Sequence, residues 1–201
     1  IADFMYDYQI EAPSWFKSHW EAQGNLNWKQ SGKQYTEVNK QKSYSDIGLE
    51  YALETKKVLG KNLMGAIQTK GTVAALSFCN ERAIPLTDSM AVKYKANIKR
   101  VSDKNRNPRN VANKEELKYI KQFQSAIASQ STIAPVVVEK GNKVHFYYPI
   151  DTNTMCLQCH GNSTQISSEV KHKILKLYPK DLAIGYSESQ LRGIWSITFE
   201  K

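Results

Sequence analysis

The 201-residue chain lacks any apolar run of the length a bilayer-spanning helix requires, which excludes a transmembrane segment. It has no internal repeat and no low-complexity tract, which excludes a solenoid and a compositionally biased linker. Cysteine is scarce, with three residues, and an odd number excludes complete disulfide pairing within the chain. At this length a core can form without disulfide staples. Acidic residues are the minority, 19 Asp and Glu against 28 Lys and Arg, for a net charge of +9. A surface of that sign suits an acidic protein, an anionic membrane or nucleic acid, or simply keeps the chain in solution. The mean hydropathy of −0.54 is that of a globular chain and not of a disordered one. The chain also does not begin with methionine but with Ile1-Ala2-Asp3.

Two of the three cysteines lie in Cys156-Leu157-Gln158-Cys159-His160, the pattern CxxCH. This is the attachment signature of a c-type haem. Each thiol adds to one haem vinyl group, and the adjoining histidine coordinates the iron from one side. A zinc site would want a second pair of ligands, which Cys79 alone does not supply. A thioredoxin-like redox pair belongs at a strand-to-helix turn early in a βαβ unit, and this motif is late. Covalent haem is attached outside the cytoplasm. The chain is therefore expected in a periplasm or a thylakoid lumen, exported, with its signal peptide removed.

Residues 1–45 carry Trp15, Trp20 and Trp28 among Lys- and Gln-rich stretches without a clean period. They read as an aromatic-rich extension that packs over the main domain, or as a docking arm. The domain proper runs over residues 46–201. A helix is expected over 46–70, with Tyr51, Val58, Leu59, Leu63, Ala66 and Ile67 on one face and a break at Gly71. A shorter helix follows over 72–82, stopped by Pro85. The stretch 90–101 looks extended, and the Asn-rich 103–110 is a loop. Asn113 and Glu116 form a capping box that opens a helix over 114–128. Val136–Val138 and Val144–Tyr148 read as a hairpin across Lys140–Lys143, with the CxxCH motif on the connection after Pro149. Ser167 or Ser168 caps a helix to Tyr178, and Arg192 to Phe199 is a final strand. The pattern is α+β: an antiparallel sheet with helices on it.

A second axial ligand is not obvious. No methionine occurs in residues 161–201. His172 lies there, on a lysine-rich helix face. Upstream stand Cys79, His145, Met64, Met90 and His19. Cys79 stands out because an unused thiol is a liability in an oxidising compartment, and Arg82 lies one helical turn away to share a thiolate's charge.

The ordered set Gly71-Thr72, Cys79-Asn80, Arg100-Val101-Ser102, Arg106-Asn107-Pro108 with Asn110, Cys156 to Gly161, Tyr178-Pro179 with Asp181, Gly185-Tyr186 and Arg192-Gly193 resembles the mono-haem c-type cytochromes with a PAS-like fold, the haem-sensor family, over residues 47–201. The resemblance implies one covalent haem c with His160 and Cys79 as axial ligands. It also implies a PAS-like sheet of about five strands flanked by helices. It sets the Arg100–Asn110 loop at the haem edge, where Arg100 or Arg106 would pair with a propionate. The function it implies is low-potential electron transfer or redox poise. The alternative is a redox or gas sensor for NO or CO. With both axial positions filled, no enzymatic activity is expected. The expected partner is an acidic redox protein docking on the basic C-terminal helix with Lys171, Lys173 and Lys176. Nucleic acid is not expected, and a homo-oligomer stays open.

Overall fold

The computed structural model describes residues 42–201, so the extension read over 1–45 lies, but for its last residues, outside the described part. Ser43 opens the first helix, α1 (Tyr44–Tyr94), with a capping box: its hydroxyl accepts from the Asp46 amide at 3.1 Å and the Asp46 carboxylate accepts from the Ser43 amide at 3.2 Å. Gly71 breaks α1 in two, as its φ of 79° and ψ of 169° show. That backbone is the one glycine tolerates best, so the expected break is real. The expected stop at Pro85 is not. The helix continues through Pro85 and ends where Lys95 adopts the left-handed conformation, φ 50°. Pro85 and Glu81 are both exposed, so the carbonyl that Pro85 cannot bond faces water. Meanwhile Ala83, Thr87 and Met90 keep burying one helical stripe. Met90 therefore belongs to the helix core and not to an extended stretch.

Four antiparallel strands follow: β1 (Asn97–Val101), β2 (Val136–Lys140), β3 (Lys143–Asp151) and β4 (Leu191–Glu200). Their order is β1-β4-β3-β2, so the described residues form a sheet of four strands where about five were expected. The last strand in sequence lies inside the sheet, bonded on one side to β1 (Arg100 opposite Trp195) and on the other to β3 (Phe146 opposite Ile197). Gly141 and Asn142 turn the β2–β3 hairpin, with Gly141 at φ 60°.

Alternation along the strands gives each face a partner. Val144, Phe146, Trp195, Ile197 and Phe199 pack against Ala52, Leu59, Ala83 and Met90 of α1. Tyr147 and Ile194 face the other way, against Tyr119, Ile120 and Phe123 of α2 (Lys114–Ala128). The buried Glu116 ties that layer down. It caps α2 by accepting from the Asn113 amide at 2.8 Å and also accepts from the Ser196 hydroxyl at 2.8 Å. The remaining helices are α3 (Thr154–His160) and α4 (Ser168–Leu177). Ser167 caps α4, which buries Val170 and Ile174 against Leu76, beyond the Gly71 break in α1.

Gly48 is the point of closest approach between α1 and the sheet. A Cβ there would lie 2.2 Å from the ring of Phe146, which is fully buried. Gly48→Ala should gain about 1 kcal/mol of helix propensity and lose more through overpacking, for a net destabilisation of about 1–2 kcal/mol. Urea unfolding of the two proteins measures it; an unchanged or raised midpoint would show that the helix can move off Phe146.

Candidate functional site

The CxxCH motif was expected on an irregular connection, but it forms the short helix α3. Asn153 caps it, accepting from the Cys156 amide at 3.3 Å. On a helix the spacings 156, 159 and 160 bring the two thiols and the imidazole to one side. Both ends of α3 are bolted to the chain that runs into β4. Before it, the Thr152 amide and hydroxyl each donate to the Gln190 carbonyl at 2.9 Å. After it, the Gly185 amide donates to the Gly161 carbonyl at 2.8 Å and the Tyr186 amide to the His160 carbonyl at 2.9 Å. Leu157 fills the space between them, against Ala183 and Tyr186.

His160 Nδ1 lies 2.7 Å from the carbonyl oxygen of Ala183. A carbonyl only accepts, so Nδ1 carries the proton and Nε2 keeps its lone pair. The Tyr186 ring stands perpendicular to the imidazole, at 88° and 6.3 Å between centroids. Burial, with Arg192 and Arg106 nearby, holds the imidazolium well below the usual histidine range, so the ring is neutral. A neutral imidazole fixed through one nitrogen by a carbonyl is a metal ligand in waiting.

Arg106 anchors this arrangement. Its Nε and Nη2 donate to Asp181 Oδ1 and Oδ2 at 3.1 and 2.9 Å, and Nη2 also reaches the carbonyls of Cys159 at 2.7 Å and Ala183 at 3.2 Å. Asp181 Oδ1 in turn accepts from the Ala183 amide at 2.9 Å. One guanidinium thus holds both the second cysteine and the residue that orients His160. Arg106 is engaged inside the protein, not facing an open edge as expected for a propionate partner.

Across from α3 runs the second part of α1. Thr72 donates to Gln158 Oε1 at 3.0 Å, and Cys159 packs with Val73 and Leu76. Cys79, one turn beyond Leu76, is half-buried on this side. Burial raises its pKa, while Arg100 and Arg106 pull it down. Burial likewise pushes Cys159 up to about 11, with Arg106 opposing and Cys79 and Cys156 adding to it. Tyr178 reaches about 12 through burial first and Cys79 second. Cys79, Cys159, Arg100, Arg106 and Tyr178 therefore share one neighbourhood. The other candidate ligands have other surroundings. His145 Nδ1 meets the Thr198 hydroxyl at 3.1 Å, Met90 sits in the α1–sheet core, and His172 lies exposed on α4. The roles of Asp181, Ala183 and Tyr186 escaped sequence reasoning. Asp181 and Tyr186 were visible there only as matching letters, and a backbone carbonyl has no side-chain signature at all.

The Tll0287-like family model matches residues 20–199. The chain belongs to the Tll0287-like family. The crystal structure of the cyanobacterial haem-protein Tll0287 is similar to it, with 20% identity, a TM-score of 0.58, and coverage of 76% of this chain and 94% of that chain. No curated protein matches the sequence. The fold shared with this Tll0287-like family is α+β and PAS-like, a small antiparallel sheet flanked by helices. Among the described residues no helix is long and apolar enough to cross a membrane.

The Arg106–Asp181 pair is nearly inaccessible, at 8% and 5% side-chain exposure. Asp181→Asn would leave a buried guanidinium without its counter-charge, which costs about 3 kcal/mol or more. Equilibrium unfolding in urea should show that loss, and removing both partners should cost less than the sum of the single changes. Additive losses would mean the two residues act separately.

Proposed function

We propose that this chain is a haem-binding PAS-like module carrying one haem c, attached through Cys156 and Cys159, and that it responds to redox state or to a small gas such as NO or CO. The observation that carries this reading is the His160 geometry: Nδ1 spent on the Ala183 carbonyl at 2.7 Å, Nε2 left as a donor, and both thiols on the same side of α3. The relation to a haem-protein of the same fold supports it. Bound haem supplies one-electron exchange at an iron with two axial positions. His160 would occupy one position and Cys79 the other.

Cys79 is what makes a sensor the better reading. As a thiolate it is an anionic donor and favours the more positive state of the centre, which sets a low potential. Its burial raises the cost of that anion. Cys79 therefore holds on as thiolate against the higher charge and leaves as a neutral thiol when that charge falls. Its departure would free a position for a diatomic ligand and release the second part of α1 from the site. With protein side chains on both sides, Cys79 and His160 would also keep substrates away, so no catalytic role is proposed. Covalent attachment goes with an exported location, in a periplasm or a thylakoid lumen.

The intact mass of matured protein should exceed the polypeptide by one haem; a bare polypeptide mass ends the haem reading. Cys79→Ala should then change the ferric EPR spectrum and raise the reduction potential. Reduced wild-type protein should bind CO. A reduced spectrum indifferent to CO would return the reading to electron transfer.

Electron transfer is the second reading, and the basic α4 favours it. Lys173 and Lys176 lie on a helix whose buried face packs next to Cys159. An acidic redox protein would be steered there. Its second-order rate with this chain should fall as salt rises, and Lys173→Gln with Lys176→Gln should flatten the dependence. A rate insensitive to both would leave α4 as scaffold.

A further inference from the structure

Three guanidinium groups surround His160, but only Arg106 has a bonded carboxylate. Arg192 Nη1 donates to the Ser102 hydroxyl at 3.1 Å and the Lys104 carbonyl at 3.2 Å, while its buried Nε has no partner. The Arg100 Nε is also buried without a partner, and among the described residues no hydrogen bond reaches the Arg100 side chain. The Tyr186 hydroxyl, close to Ser102 and Arg192, is a third buried polar atom without a hydrogen bond of good geometry. Asp181 lies within electrostatic reach of Arg192, but its two oxygens are taken by Arg106 and the Ala183 amide. Asp103 is drawn off by Gln124, which donates to it at 2.9 Å.

These donors are arranged around a cavity of about 150 Å³ lined by Arg100, Ser102, Asn110, His160 and Arg192, with Val101 and Ile150 as apolar wall. The sheet register brings the two arginines there, since Arg100 pairs opposite Trp195, three residues after Arg192. The loop that carries Asn110 is closed onto β1's end by Ser102 N–H to Asn110 O at 2.9 Å and Ala112 N–H to Ser102 O at 3.2 Å. Two desolvated cations beside unpaired N–H groups are unfavourable unless an anion joins them.

We propose that Arg100 and Arg192 form a binding pocket for a small carboxylate beside His160. The fork of a guanidinium matches the two oxygens of a planar carboxylate. The apolar wall of Val101 and Ile150 suits its carbon side and would leave the further oxygens of a phosphate unpaired. The volume holds about five waters' worth of liquid, enough for formate or acetate but not for a large acid. The carboxylate has two possible sources, a free acid or a propionate of the haem proposed above. The pocket itself does not depend on which one fills it.

The test uses the full-length, matured protein, with intact mass reporting separately whether haem is attached. Thermal unfolding is followed in sodium acetate, formate, phosphate and chloride at constant ionic strength. If a free acid fills the pocket, acetate and formate raise the melting temperature saturably and chloride does not. Arg192→Gln then needs about tenfold more acetate for the same rise. If a haem propionate fills it, wild-type protein ignores acetate. Arg100→Gln and Arg192→Gln then raise the pH at which the reduction potential bends, because a carboxyl has lost its cation. Arg192→Lys keeps the charge, gives an intermediate shift, and serves if the Gln variants do not fold. The proposal is overturned if chloride or phosphate acts as well as acetate, or if neither the acetate response nor the pH–potential curve differs among these proteins.

Discussion

One buried guanidinium holds the functional end of this molecule together. Arg106 sits on the loop after β1, Asp181 on the loop before β4, and the carbonyls it grips belong to Cys159 and Ala183. Three segments that have no regular hydrogen-bonding pattern of their own thereby acquire one arrangement. A buried ion pair is weak evidence for stability, because desolvating two charges offsets most of their attraction. Its contribution here is better understood as specification. A different packing of the three loops would strand a charge, a carboxylate or a carbonyl. The cost of each alternative is what keeps the Ala183 carbonyl in front of His160 Nδ1.

The sheet makes that clamp possible. Because β4 is central, the segment just before it is carried past the end of β3 and onto α3, where residues 185 and 186 bond the carbonyls of 161 and 160. Because β1 is its other neighbour, the Arg100–Ser102 end of β1 arrives at the same place. Gly193 lets the two strands come this close: a Cβ there would press on the Val101 carbonyl. The break at Gly71 has a matching role on the opposite side. It allows the first part of α1 to cover the sheet while the second turns its Val73–Cys79 face toward the motif. Fold and site are therefore not separate layers; the strand order decides which charged groups surround His160.

Two of those charged groups, Arg100 and Arg192, are poorly satisfied by the protein alone. So is a buried thiol, Cys79, whose ionised form burial disfavours. A site with an excess of desolvated cationic donors and an oriented neutral imidazole is arranged for ligands that bring negative charge and an electron-poor centre. The energetic tension in the protein is complementary to what the proposed cofactor and carboxylate would supply.

Much of the local structure was legible in the residues. The Ser167 and Asn113 caps, the Gly71 break, the Gly141 hairpin, and the CxxCH spacing each depend on atoms a few positions apart, and short-range geometry repeats wherever the letters do. Pro85 misled, because its cost depends on whether the freed carbonyl meets water, which only packing reveals. The motif's helical form was hidden for a similar reason, its ends being fixed by residues 185–190 and not by its own sequence. The partnership of Arg106 with Asp181 spans 75 positions, and that of Arg192 with Ser102 spans 90. No periodicity or cap foretells such pairs, so a single sequence names the chemical groups but not their partners. Which arginine is neutralised, which is left wanting an anion, and which nitrogen of His160 stays free were settled by strand order and loop closure, through contacts with backbone carbonyls that carry no letter of their own.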